Sequence, residues 1–374
     1  MKIILHIFIY SFIFIGCTST LQKIDVVDTK SIAEQSYSSK ATIEKKEHEK
    51  SIEKVAEVKK EVVSVEKENN QLAIVFPSST IGKYALEATS TINTYLLYKN
   101  NQISLSVLDI VVQNDNNLLK VFNKIKEKNI KNVVAMITKD NLIFLNNIKD
   151  IDTIKIYLPL INKNEIKDID KLSKLNIVFG AINYEKQFSK LIAYSNNSSL
   201  VELYDNTAIG NTLHNYLSPY DLKYTKKVDD NNGRYRNLLN NKKFKNSKII
   251  INTPIVKSSI LLSAISAGSY RIPIVLSTQL NYTPLLFSLT QKQDRKKLVI
   301  ANSIGKIPDD LQEYNQLIGN NILYSWVNYS SIVGVEYLLT GNIDLFSDLT
   351  IDENQIIYPV NLYKVGKYSF KLIK

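Results

Sequence analysis

The sequence predicts an α/β protein of two lobes, each a parallel sheet flanked by helices, set behind a signal and a disordered or helical spacer. Three observations predict it. Short, continuous apolar runs such as Leu72-Ala73-Ile74-Val75-Phe76 have the composition of strands buried on both faces of a parallel sheet. These runs alternate with segments of helical periodicity, the order that βαβ units produce. The alternation continues for about 300 residues, more than a single sheet accommodates around one core.

Taken in order, Leu72 to Phe76 is the first strand, and Pro77-Ser78-Ser79-Thr80 ends it ahead of a helix from Gly82 to Leu97. Strand patterns follow at Ile103 to Val112, Asn132 to Ile137 and Ile154 to Leu160, with a helix at Asn117 to Lys128. The alternation restarts at Ile177-Val178-Phe179-Gly180, with a helix from Tyr184 to Ala193 and a strand from Leu200 to Tyr204. Then come a helix near Gly210 to Leu217, a strand near Leu222 to Lys227, a helix near Arg234 to Asn240, and strands at Lys248 to Asn252 and Ile272 to Ser277. A helix from Ser330 to Leu339, with Gly334 and Tyr337, is assigned to packing on the first lobe. The expected division is 71–162 with 281–345 for the first lobe, and 163–280 with 346–374 for the second.

Ahead of the lobes the chain changes character twice. Residues 18–40 are rich in Ser, Thr, Lys and Asp and read as disordered. Residues 41–69 are dense in Glu and Lys, and Ile52, Val55, Ala56, Val58, Val62, Val63 and Val65 recur at three- and four-residue steps, so a helix is expected. No clean heptad holds for three turns, which favours a solvated single helix or spacer over a coiled coil. A helix of about 28 residues would hold the following domain roughly 40 Å from its tether.

That tether is read at Cys17, the only cysteine among 374 residues, which follows the apolar stretch Ile3 to Ile15 and Gly16. With Lys2 ahead of it, the run is too short to span a bilayer and reads as a cleaved export signal, an uncleaved signal anchor being the alternative. Phe14-Ile15-Gly16-Cys17 resembles the lipobox of bacterial lipoproteins, with Phe14 where that family usually has Leu. The resemblance implies removal of residues 1–16 and a lipid on Cys17, and several acyl chains anchor far more stably than one. Thr18 stands where, by resemblance to the enteric sorting rule, Asp would retain the protein at the inner membrane. The implied address is the periplasmic face of the envelope, with the outer membrane favoured.

Composition excludes several chemistries. The three histidines are His6 in the signal, His48 in the spacer and His214, so the folded part has one imidazole and no thiol. A His/Cys metal site cannot be assembled, a cysteine nucleophile is absent, and no Ser sits in a Gly-x-Ser-x-Gly elbow. His214 lies in a helical pattern, Thr207 to Leu217, and reads as a solvated surface residue. The expectation is a binder and not an enzyme, without cofactor or metal. The net charge of +11 is spread over a Lys-, Asn- and Ile-rich chain. No basic stripe with interleaved aromatics marks a nucleic-acid face, and the runs Lys242-Lys243-Phe244-Lys245 and Arg295-Lys296-Lys297 read as solvated turns. A weak attraction to anionic envelope polymers is expected.

The order of segments resembles the type I periplasmic binding fold, in which two similar α/β lobes close on a ligand. The matching pieces are Leu72 to Ser79 opening the first lobe and Asn176 to Tyr184 opening the second. Tyr204-Asp205-Asn206 with Gly210 is similar to the family's strand, Asp and helix-starting Gly, and Pro273 to Thr278 resembles the return to the first lobe. Two subfamilies fit. Resemblance to the amino-acid receptors of ABC transport implies that Ser78, Ser79 and Thr80 hold a ligand carboxylate and that Tyr204 and Asp205 hold its amine. The loop Thr138-Lys139-Asp140-Asn141 lacks the small residues usual there, and the plainer role for Ser79, Thr80 and Asp205 is helix capping.

Resemblance to the penicillin-binding-protein activator lipoproteins implies contact with a cell-wall synthase. The anchor, the spacer and the stretch Asn252 to Ser259, leading through Ala267 to Ile272-Pro273-Ile274-Val275-Leu276-Ser277, carry it, although the helical-repeat domain of those activators has no counterpart here. Tyr84, Tyr184, Tyr282 and Trp326 fall where this fold faces its cleft, with core packing as the alternative role. Expected partners are therefore the membrane through Cys17, and either a cell-wall synthase or an ABC transporter with a small polar ligand. A purely structural envelope protein is the third reading.

Overall fold

A computed structural model describes residues 71–374 apart from 101, 197–198, 229–234 and 236–238, and the described residues form one compact unit. The signal, Cys17, the spacer and most of the helix expected at 234–240 lie outside the described residues. Two seven-stranded sheets organise the chain. The first contains β1 (Gln71–Phe76), β2 (Ser104–Asp109), β3 (Asn132–Ala135), β4 (Lys155–Leu158) and β5 (Asn176–Phe179). The second contains β6 (Leu200–Tyr204), β7 (Tyr224–Lys227), β8 (Lys248–Asn252), β9 (Val275–Ser277) and β10 (Leu298–Asn302). The chain then returns to the first sheet for β11 (Thr350–Asp352) and β12 (Gln355–Ile357), and to the second for β13 (Asn361–Val365) and β14 (Phe370–Leu372).

The strand orders are 11-12-5-4-3-1-2 and 14-13-10-9-8-6-7. Strands β1 to β5 pair in parallel, as do β6 to β10, and antiparallel pairs occur only where β11, β13 and β14 close an edge. Burial on both faces explains the apolar runs: Leu72, Ala73, Ile74 and Val75 of β1 are all fully buried.

Helices cover both faces of each sheet. In the first lobe α1 (Ser78–Tyr98) is packed by α8 (Asp309–Leu317) and α9 (Trp326–Thr340), and α2 (Asp115–Glu127) covers the other face. In the second, α3 (Tyr184–Tyr194) and α4 (Ala208–Leu217) lie on one face, and α5 (Ile255–Ala267), α6 (Leu285–Leu289) and α7 (Lys292–Arg295) on the other. Tyr157 of β4 passes between Gly180 and Gly334, where an added Cβ would come within 2.2 Å of its ring, and its hydroxyl meets Ser330 at 2.8 Å and Tyr358 at 3.0 Å. The absence of a side chain at both positions is what admits the ring.

Sheet membership moves the lobe boundaries. Strand β5 belongs to the first sheet rather than opening the second lobe, because Ile177, Val178 and Phe179 pair with β4. Strand β9, read as the return to the first lobe, lies inside the second sheet between β8 and β10. The crossings fall after Phe179, after Asn302 and between Ile357 and Asn361. Helix α5 carries no helical period in its sequence, because its apolar residues are not confined to one face. Arg295, read as part of a solvated turn, is buried, donating to the Thr290 carbonyl and to the Lys367 carbonyl at 2.6 Å.

Candidate functional site

In such sheets the ends of the parallel strands, and the loops beyond them, form the facing walls of the interlobe cleft. On the first wall, α1 starts directly after Pro77, and no side chain caps it. The Ser78 N–H donates to Asp109 Oδ1 at 3.0 Å, which also accepts from the Val111 N–H at 2.6 Å, and the Ser79 N–H donates to the Val111 carbonyl at 3.0 Å. Burial works upward on the Asp109 carboxyl, yet the hydrogen bonds from Ser78 and Val111 carry it below the ordinary carboxylate range. The capping role read for Ser79 and Thr80 is therefore corrected: both lie inside the first turn, and the protein's own Asp109 takes the place of an external anion.

The loop after β3 is closed in the same manner. Gln113 donates to Thr138 Oγ1 at 2.7 Å and to Asn141 Oδ1 at 2.5 Å, and accepts from the Thr138 N–H at 3.1 Å.

The second wall is built on the end of β6. Asp205 is fully buried, with Oδ2 paired to Lys257 Nζ at 2.8 Å and Oδ1 accepting from the Thr207 N–H at 3.2 Å and hydroxyl at 2.5 Å. The cap on α4 is Thr207, whose Oγ1 accepts from the Gly210 N–H at 3.1 Å; Asp205 positions that cap rather than supplying it. Gly210 is required because a Cβ there would lie 2.3 Å from Asp205 Oδ1.

Nearby, His214 is not a solvated surface residue. Its Nδ1 meets Glu202 Oε2 at 2.7 Å, its ring stacks on Tyr204 at 4.0 Å, and Asn252 donates to Glu202 Oε1 at 2.9 Å. An inward-facing carboxylate on β6 attracts the one imidazole of the lobe.

Side-chain contacts join the walls on both sides. Tyr216 of α4 donates to Glu165 Oε1 at 2.8 Å, with Tyr184 packed beside Tyr216 at 6.2 Å between ring centres. Burial raises the Glu165 carboxyl above its usual range, and the Tyr216 hydrogen bond offsets part of that rise. On the other side Tyr282 meets Tyr324 at 5.4 Å, in a cluster with Tyr363 and Phe370.

Tyr282, Asn302, Lys306, Asp309, Tyr324 and Tyr363 are among the residues lining a cavity of about 240 Å³. A second cavity, about 300 Å³, lies at the crossings and is lined by residues including Asn162, Lys163, Asn183, Lys186, Glu353 and Gln355. No local pattern marks this group, which segments far apart along the chain bring together. Tyr84 is largely exposed on α1 and Ser78, Ser79 and Thr80 are exposed; none of the four lines either cavity. Trp326 is half-buried against the first-lobe core and reaches the Pro159 carbonyl at 3.4 Å.

Among the described residues no group of three or more His, Cys, Asp or Glu side chains is placed to hold a metal ion, and no helix is long and apolar enough to cross a membrane. At the ends of β8 and β9, Asn252 Oδ1, Thr278 Oγ1 and Asn281 Oδ1 are buried without a hydrogen-bond partner.

No protein-family model matches the sequence, and no curated protein matches it. Solved structures match the fold. A structure described as a branched-chain amino acid ABC transporter from Rhodospirillum rubrum superposes with a TM-score of 0.62 at 11% identity, over 81% of this chain and 99% of that one. LpoA from Haemophilus influenzae superposes at 0.56 and 10% identity, over 82% of this chain and 58% of its own length. Its C-domain, described as a regulator of PBP1A, gives 0.53 at 10% identity and is covered completely, with 81% of this chain. The chain thus has the type I periplasmic-binding-protein-like fold, shared with both subfamilies to which its sequence bears a resemblance.

Proposed function

We propose that this chain is a non-catalytic binding module of the cell envelope, lipid-anchored through Cys17, that acts through a protein partner of the cell-wall synthase class. One observation carries the choice between partner and solute. The backbone donors and the carboxylate that the receptor resemblance assigns to a ligand's charges are already engaged by the protein: the Ser78 and Ser79 N–H groups by Asp109 and the Val111 carbonyl, and both Asp205 oxygens by Lys257 and Thr207. A free amino acid would have to displace charge-assisted bonds, those of Asp205 in a buried setting, at a cost its own bonds would only match. A partner protein needs no vacant cleft, since it docks on an outer surface.

The likeness to LpoA, a regulator of PBP1A, supports this reading, and the anchor and spacer read from the sequence supply the reach it needs. A solute-binding receptor for an amino acid or similar polar ligand is the second reading, favoured by the unpartnered buried oxygens of Asn252, Thr278 and Asn281 and by the likeness to amino-acid transport proteins.

The test is direct binding between the unit 64–374 and the purified periplasmic regions of the same organism's cell-wall synthases, followed by biolayer interferometry. Saturable micromolar or tighter binding to one synthase supports the proposal. Failure with each of them rejects it.

A further inference from the structure

The fold gathers positive charge at one edge of the second lobe. Residues 219–228 and 239–247 hold six lysines, Lys223, Lys226, Lys227, Lys242, Lys243 and Lys245, against the single carboxylate of Asp221. The sequence between these stretches adds Asp229 and Asp230 against Arg234 and Arg236 and leaves the balance unchanged. Separated by about twenty positions along the chain, the two groups of lysines fall on the same edge of the sheet because β7 is the edge strand and the turn Lys242–Phe244 packs beside its start. Tyr224 meets Phe244 edge-on at 5.7 Å, and Lys223 Nζ donates to Ser247 Oγ at 3.0 Å.

None of the six forms an ion pair with a described carboxylate, whereas Lys99, Lys163 and Lys257 elsewhere each meet one. Lys223, Lys242, Lys243 and Lys245 are exposed. Such a concentration repels itself and is stabilised by whatever anion neutralises it.

We infer that this lysine edge is a docking surface for a linear, hydrophilic polyanion whose phosphate or carboxylate groups recur along a flexible backbone. Three features select that partner. Of the described aliphatic and phenyl side chains in these stretches, Val228, Leu239 and Phe244 are buried and Leu222 is half-buried, so among the described residues no large apolar side chain stands exposed to insert into a bilayer. Tyr224 is covered by Lys243 Nζ at 4.4 Å and by Phe244, which removes the open ring face on which a nucleobase would stack. All six cations are ammonium groups, point charges that suit a mobile chain of anions better than the fixed fork of arginine. The run Lys242-Lys243-Phe244-Lys245, which reads as a solvated turn along the sequence, thus shares one surface with Lys223, Lys226 and Lys227.

The test uses the full chain with linear inorganic polyphosphate as the probe. With about four lysines engaged, affinity should fall roughly fiftyfold between 50 and 200 mM salt. The triple variant K242E/K243E/K245E should lose more than tenfold, while K124E/K128E/K131E, the same charge change on the first lobe, keeps affinity within about threefold. K226Q/K227Q, outside the turn, should also lose affinity, which separates lost charge from a disturbed turn. Absence of binding at 50 mM salt, equal loss in the first-lobe variant, or wild-type affinity in K226Q/K227Q would overturn the inference. So would tighter binding to vesicles containing phosphatidylglycerol than to the polymer, which would assign the surface to a membrane.

Discussion

Replacement of Asp205 by Ala removes the carboxylate on which the second wall is built. The side chain is 1% exposed and its partner Lys257 only 14% exposed, at 2.8 Å. Removing one member of a buried, directly bonded ion pair costs about 3–5 kcal/mol. The Thr207 N–H and hydroxyl lose their acceptor as well, adding about 1 kcal/mol. For a domain of about 300 residues, a loss of about 5 kcal/mol corresponds to roughly 8 °C in Tm. Urea and thermal unfolding of the unit 64–374 measure it. The companion K257M and the double variant D205A/K257M complete a cycle in which the double variant recovers at least about 1.5 kcal/mol of the summed single losses. If D205A costs less than about 1 kcal/mol, or the cycle is additive, the carboxylate is not committed to the fold and the argument against a ligand amine fails.

Three further outcomes follow from the same geometry. Gly334→Ala should destabilise by about 3 kcal/mol, because its Cβ would lie 2.1 Å from the buried Tyr157 ring, and Tyr157→Leu should be less harmful in that background than alone; an additive pair in equilibrium unfolding contradicts this. Glu336→Ala, which leaves buried Tyr95 and half-buried Lys99 without their shared carboxylate, should cost about 3 kcal/mol by the same measurement, and a loss below about 1 kcal/mol would show the contact to be incidental.

Tyr216→Phe removes the bond that offsets burial at Glu165, so the Glu165 carboxyl should move further up in an NMR titration. A carboxyl raised in the fold stabilises it below the unfolded value and loses that contribution as pH rises through the folded value, so Y216F should compare better with wild type at pH 4 than at pH 7. A downward movement at Glu165 rejects the assignment.

The strands were legible because burial on both faces writes itself as runs such as Ile177-Val178-Phe179 and Ile249-Ile250-Ile251. Lobe membership was not, since β5 and β9 look alike as sequence and differ only in which neighbour they pair with. Strand β10 and helix α5 were missed for a related reason: both are buried elements without a polar face to set their period. At the site, Asp205 and Gly210 were found together and do touch, while the roles read for them changed. The partners that decide those roles, Asp109 for Ser78 and Lys257 for Asp205, lie 31 and 52 positions away and carry no local signal. His214 shows the same limit, because the carboxylate that engages it sits on an adjacent strand whose apolar neighbours concealed an inward-facing Glu202.

The central claim is that the Asp205 carboxylate and the N–H groups at the start of α1 are already engaged within the protein, and thermal unfolding of the unit 64–374 in the presence of the free amino acids tests this most directly. A ligand at about a hundred times its dissociation constant would add about 2.7 kcal/mol, roughly 4 °C for a domain of this size. The account predicts no shift with any amino acid. A rise of that size with one chemical class, abolished by Asp205→Asn, would establish a solute receptor and contradict it.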